Sequence, residues 1–281
     1  MREHSYYRAV WYAVNGLLVL AVVLAMYSIG WEYSTRRYLK GFSDAIIPVA
    51  APAEEKIQAI LNWMSHGPTK QTGGPDGLTP DRDPTETLNY HALLQVCGTA
   101  TNAFINLADS GGLVPRRLLL LDSQRLAKHV AAEVLVDGRW IVVDPSYRVI
   151  LRGTDGKLLT REQLKDPTTF ATATKNIPAY NSSYNYDLTA HVRLGRLRFI
   201  GLPIRMMFNG LRPGWEDSPV VSLLAERESF AFLLMSICLV LLLALLRISL
   251  RWYGENRLGV HTLRMREQIR RAFGAFMNTA S

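Results

Sequence analysis

Cys97 stands in Gln95-Val96-Cys97-Gly98-Thr99-Ala100; downstream, His129 lies in one apolar run and Asp144-Pro145 closes another. A thiol becomes a nucleophile near neutral pH when a base draws off its proton, and the base works best when a third group holds its tautomer and orientation. Sulfur, imidazole and carboxylate occur here in that order. Two other readings use the same atoms. An unpaired cysteine is often a small apolar filler in a core. Cys97, His129 and Asp144, with His91, also have the donor types for zinc, but no Cys-x-x-Cys or His-Glu-x-x-His spacing accompanies them. No metal and no cofactor is expected.

The elements that must position these residues are legible around them. Ile57, Ile60, Leu61 and Met64 fall at helical spacing behind Pro52, which predicts an amphipathic helix over Ala53–Met64. From His66 to Pro84 the chain turns to Gly, Pro, Thr and Asp, a long loop expected to border the Cys97 cleft as a lid. Cys97–Asp109 carries Ala100, Ala103, Phe104 and Leu107 on one helical face and stops at Gly111-Gly112. A cysteine at a helix start gains from the positive end of the dipole, and the free amides there, Cys97's own included, can hold an oxyanion. Strands are predicted over His129–Val136 and Arg139–Val143, joined by a tight Asp137-Gly138 turn.

The remaining motifs carry less. Thr160 and Gln163 fit a capping box, and Asn181-Ser182-Ser183 is formally a glycosylation triplet. Arg116 and Arg117 suit either an acidic substrate or a solvated strand edge. Glu133 is expected to pair with a basic side chain or to face solvent, and His66 and His191 to be surface or loop residues. Residues 190–212 mix apolar side chains with Arg193, Arg196, Arg198, Arg205 and Arg212, which fits a membrane-surface segment or a strand with a basic edge.

Two uncharged apolar stretches, one over about Ala9–Gly30 that contains Leu17–Met26 and one over Phe230–Leu246, come close to the roughly 20 residues that cross a bilayer. A cleaved signal peptide is the other reading of the first, yet no Ala-x-Ala site follows it. Arginines crowd the segment after the second stretch, so the positive-inside bias places both termini in the cytoplasm. The expected organisation is a cytoplasmic N-terminus at 1–8 and a first span at 9–30. An extracytoplasmic domain follows at 31–228, periplasmic in a bacterium, with its core at about 50–150 and a juxtamembrane segment at 188–228. A second span at 229–248 and a basic cytoplasmic tail at 249–281 complete it. Cys238 falls inside the second span, which leaves Cys97 with no disulfide partner in the domain. The chain has 281 residues and a net charge of +8, much of it in the tail and beside the spans; membrane lipids account for it, and no nucleic-acid partner is expected.

Cys97 at a helix start, Gly112-Leu113-Val114-Pro115-Arg116, His129-Val130-Ala131-Ala132-Glu133-Val134 and Asp137-Gly138-Arg139-Trp140-Ile141-Val142-Val143-Asp144-Pro145, taken together, resemble the transglutaminase-like superfamily of papain-like cysteine enzymes. The resemblance covers about residues 50–150. It implies an α+β fold with an antiparallel sheet packed on the cysteine-bearing helix, with Cys97 as nucleophile, His129 as base and Asp144 as its orienting carboxylate. Two positions depart from the pattern. Ala131 stands where many members have an aromatic residue, which would widen or empty part of the cleft. Gln95 replaces a common glycine and, by analogy with a papain-type glutamine, would add an oxyanion donor to Cys97's amide.

The implied chemistry is acyl transfer or amide hydrolysis on a peptide, protein or glycoconjugate. Two classes of function fit the whole chain: a membrane-anchored thiol enzyme, and a non-catalytic scaffold of the same fold that binds a partner protein in an envelope or polysaccharide-assembly system. A thiol probe on the wild type and on Cys97→Ala discriminates between them.

Overall fold

The computed structural model describes residues 2–65, 88, 96–192 and 201–259. The expected lid at 66–84, together with His66, His91, Gln95 and the tail beyond 259, lies outside the described residues. The chain divides into two compact units, one of residues 1–30 with 232–281 and one of residues 31–231.

The first unit holds the apolar part of α1 (Arg2–Ile46) and of α8 (Glu228–Arg257). Both are long and apolar enough to cross a membrane. Their apolar side chains are largely exposed, Leu241 at 58% and Val19 at 65%, the opposite of a soluble core. Tyr7 donates a hydrogen bond of 2.8 Å to the Leu250 carbonyl, and Arg247 lies over the Trp11 ring at 5.7 Å. Gly254 sits against the Tyr7 hydroxyl with no room for a Cβ, so a small residue there allows the close approach. Both helices outrun the apolar stretches that mark them in the sequence. Helix α1 continues to Ile46 because its later turns gain a core of their own, with Leu39 fully buried.

The second unit is α+β. Helix α2 (Ala53–Ser65) buries the four residues that the spacing singles out, Ile57, Ile60, Leu61 and Met64. Helix α3 spans Cys97–Ser110. Strands β1 (Pro115–Leu121), β2 (Ala127–Val136), β3 (Arg139–Asp144), β4 (Val149–Ile150) and β5 (Thr189–Ala190) form an antiparallel sheet in the order β4-β3-β2-β1-β5. The β2–β3 turn is Asp137-Gly138, at φ 48° and 76°. Positive φ at both positions gives the backbone twist that a two-residue hairpin needs, and glycine takes it without strain.

Alternate residues of a strand face opposite sides of the sheet, and here both sides are covered. Ala132, Val134, Ile141 and Val143 pack with α2, α3 and Leu39 in one core. Leu118, Leu120, Ala131 and Val142 pack in a second core with Leu164, Phe170 and Tyr186. The second core includes short helices α4 (Arg161–Leu164), capped by the Thr160–Gln163 box, and α5 (Pro167–Thr174). Cover on both sides explains the apolar runs within these strands, Leu118–Leu121, Val134–Val136 and Ile141–Val143. It also makes α3 more central than one apolar face implies, with Thr99 to Ala108 all buried. Three further segments complete the described chain: α6 (Gly201–Leu211), a single 3-10 turn at Trp215–Asp217, and α7 (Pro219–Glu226).

Candidate active site

Cys97 is the first residue of α3, preceded by Val96 in extended conformation at φ −136° and ψ 136°. Val96 offers no side-chain cap to this helix end. The amides of Thr99 and Ala100 donate to the Val96 carbonyl at 3.0 and 3.2 Å. Those of Cys97 and Gly98 are first-turn donors for which an α-helix supplies no acceptor from its own turns. A Cβ on Gly98 would meet no described atom within 4 Å, so among the described residues the helix surface at Gly98 is open. Thr101 Oγ1 ties the next turn to the Val130 carbonyl at 3.0 Å, which holds the helix start beside strand β2.

His129 on β2 and Asp144 at the end of β3 reach the same place from two adjacent strands. His129 Nε2 donates to Asp144 Oδ2 at 2.7 Å, and both side chains are almost fully buried. The carboxylate only accepts, so Nε2 carries the hydrogen and the other ring nitrogen is not engaged by Asp144; Cys97 lies close enough to the ring for each to shift the other's titration. Burial by itself pushes the Cys97 thiol up; the hydrogen bond and positive charge of His129, with a further hydrogen bond from the Val130 backbone, outweigh it and hold the thiol below its ordinary value. Burial likewise pushes His129 down, but its bonds to Asp144 and Cys97 and their charges carry it up to about 9. The two shifts are opposite in sign and share a cause. They favour thiolate beside imidazolium near neutral pH.

Four tyrosines that sequence reasoning passed over surround this row. Tyr180 Oη donates to the same Asp144 Oδ2 at 3.0 Å, and the Ser146 amide donates to Oδ1 at 3.1 Å. Tyr184 stacks on the His129 ring with centroids 4.3 Å apart and planes 12° from parallel, and it hydrogen-bonds to Tyr147. Tyr147 also packs against Tyr180, and Tyr186 Oη lies 3.4 Å from Tyr180 Oη. Burial, with the negative charge of Asp144 next, pushes the Tyr180 and Tyr186 hydroxyls well above the usual phenol range, so both stay protonated. The available signal was three tyrosines within Tyr180-Asn181-Ser182-Ser183-Tyr184-Asn185-Tyr186. Ala131 is buried in the core that Tyr180, Tyr184 and Tyr186 pack against.

Other expectations change with the fold. Arg116 and Arg117 are neither a solvated edge nor open to substrate: each is buried and paired, Arg116 with Glu133 at 2.7 Å and Arg117 with Glu226 at 2.5 Å. Arg116 also lies 3.8 Å over the Trp140 ring. His191 is a buried tie and not a surface residue, its ring nitrogens 2.9 Å from Glu133 and 2.7 Å from Asp217. Glu133 does find its basic partner. Arg227 is 2% exposed and reaches Asn106, Asp109 and Glu32, fastening the end of α7 to α3 and to α1. Burying a cation at such a point requires this full set of acceptors.

Among the described residues no group of three or more His, Cys, Asp or Glu side chains is arranged to hold a metal ion. The row of thiol, imidazole and carboxylate can form a covalent bond from sulfur, store the displaced proton on the ring and steady the ring through Asp144. Comparison with family models, with curated proteins and with solved structures gives no match for this chain.

Proposed function

We propose that this chain is a membrane-anchored cysteine enzyme of transglutaminase-like type, with a papain-like core, that performs acyl transfer or amide hydrolysis on an extracytoplasmic peptide, protein or glycoconjugate. The observation that carries this reading is the buried His129–Asp144 pair at 2.7 Å, with Cys97 at the start of α3 beside the ring and its thiol held below its ordinary value by that ring. The anchoring is supported by α1 and α8, and the outward placement of the domain by the arginines that follow α8 in the sequence.

In the proposed reaction the Cys97 thiolate attacks the carbonyl carbon of an amide or ester, forming a carbon–sulfur bond. The displaced electron pair settles on the carbonyl oxygen, where the amides of Cys97 and Gly98 donate to it. His129 passes its proton to the leaving amine or alcohol as the bond to carbon breaks, which leaves a thioester on Cys97 and a neutral imidazole. His129 then takes a proton from the second nucleophile, water for hydrolysis or an amine for transamidation. Collapse of the second adduct expels thiolate and restores the ion pair. Tyr180 and the Ser146 amide hold Asp144, which holds the ring through both steps; Tyr184 covers the ring face and limits its rotation.

Iodoacetamide labelling of the full-length chain in a Cys238→Ser background tests the proposal, with peptide mapping of the labelled site. The expected result is rapid modification of Cys97 at neutral pH that is abolished in Cys97→Ala and slowed in His129→Ala. Labelling of Cys97 at the rate of an ordinary thiol, indifferent to His129, would remove the catalytic reading and leave an anchored scaffold.

A further inference from the structure

Helix α6, Gly201–Leu211, is poorly supported by the protein around it. Its described side-chain ties run only to the 3-10 turn that follows: Arg205 pairs with Glu216 at 2.7 Å, Trp215 Nε1 donates to Asn209 at 3.1 Å, and the Phe208 and Trp215 rings lie 5.0 Å apart. Met206, Met207 and Phe208 are meanwhile exposed at 65%, 55% and 39%. A helix of about this length is marginal in water unless one face is buried against something. Three consecutive large apolar side chains cover more than half of the helix circumference and leave a patch that calls for a cover.

We propose that α6 lies in the headgroup layer of a phospholipid bilayer, with Met206, Met207 and Phe208 in the acyl boundary. Three features select lipid over protein as the cover. Exposed Arg212 has no ion-pair partner among the described residues and sits at the end of the apolar run, where a lipid phosphate can meet it. Trp215, with an apolar body and a polar N–H, is the residue type that concentrates at membrane interfaces. The chain then enters α8, long and apolar enough to cross a membrane, so lipid is already the neighbour of the next long helix. Exposed apolar side chains, arginines beside them and an interfacial tryptophan form the pattern of a helix that rests on a membrane without crossing it. The earlier alternative for residues 190–212, a strand with a basic edge, does not hold for 201–211, which are helical.

The inference rests on α8 being a membrane span and not on the chemistry at Cys97. Its test uses the full chain in single-copy nanodiscs of phosphatidylcholine and phosphatidylglycerol, in a Cys97→Ala, Cys238→Ser background. An environment-sensitive NBD probe is placed at Met207→Cys, at Ser123→Cys in an exposed turn, and at Leu241→Cys in α8. The expected result at position 207 is emission to the blue of position 123 and loss of about half its intensity to lipids spin-labelled near the headgroup, with less loss to lipids labelled deep in the chains. Position 241 should show the reverse depth order. Emission at 207 that matches 123 overturns the proposal. Blue-shifted emission that no spin-labelled lipid quenches also overturns it, and assigns the patch to protein contact. Loss of quenching at 241 would instead remove the membrane span on which the inference rests.

Discussion

Replacing Asp144 with asparagine keeps the shape of the side chain and removes the charge that His129 faces at 2.7 Å. The distance between an ordinary imidazole at 6.5 and the value of about 9 reached here corresponds to about 3 kcal/mol of preference for the charged ring. Asp144 and Cys97 share that preference, so deleting the carboxylate should remove about half of it, on the order of a tenfold drop in the thiolate–imidazolium population near neutral pH. The asparagine amide can also present its N–H to the ring and select the wrong tautomer, which adds to the loss. The assay is the rate of Cys97 alkylation by iodoacetamide from pH 5 to 10 in the Cys238→Ser background, with circular dichroism as the check on folding. In the wild type the rate should already be high below the ordinary thiol range, because His129 stabilises the thiolate. In Asp144→Asn the rise should move to higher pH and the rate at pH 7 should fall by about tenfold. A folded Asp144→Asn protein with an unchanged profile would refute the claim that the carboxylate supports the ion pair.

Tyr180→Phe removes one donor from Asp144 Oδ2 and leaves the carboxylate to His129 and the Ser146 amide. The limb of the pH profile at which His129 loses its proton should move upward, with a stability loss of about 1 kcal/mol by thermal unfolding. The pH dependence of stability follows from both groups: the His129 value is raised on folding, so its contribution is fully present below 6.5 and is lost as pH rises through about 9, while the Cys97 thiol is lowered on folding and releases the proton that the ring takes up, a contribution of opposite sign. Melting of the wild type over that range should therefore show little slope from this pair, and Cys97→Ala should expose the fall that His129 contributes. Arg227→Ala leaves Asp109 without its cation and Glu32 with Arg36 alone, at a site where the guanidinium is 2% exposed, and should cost about 3–5 kcal/mol by thermal unfolding. Gly138→Ala forces a side chain into φ 76°, with an expected loss of about 1 kcal/mol in the same measurement and no change in Cys97 alkylation.

The residues alone determined what depends on neighbours in the chain. Helical spacing marked the buried face of α2, the Asp137-Gly138 pair marked the hairpin, and the Thr160–Gln163 offset marked the cap, because each is a local periodicity or a local turn. Long uncharged stretches marked α1 and α8 in the same way, although not where the helices end, since the last turns of α1 are held by a core that no local pattern reveals. The kinds of group available for nucleophilic chemistry were likewise readable, for they are a matter of composition and order.

Tertiary structure decided which of those groups meet. Strand register carries His129 and Asp144 to one end of neighbouring strands, and the covered second side of the sheet brings in Tyr180 and Tyr184, whose loop shares no periodic pattern with them. The fate of Arg116, Arg117 and His191 was also settled there. A charged side chain looks the same in sequence whether solvated or buried; only long-range packing supplies Glu133, Glu226 and Asp217 as the partners that make burial tolerable.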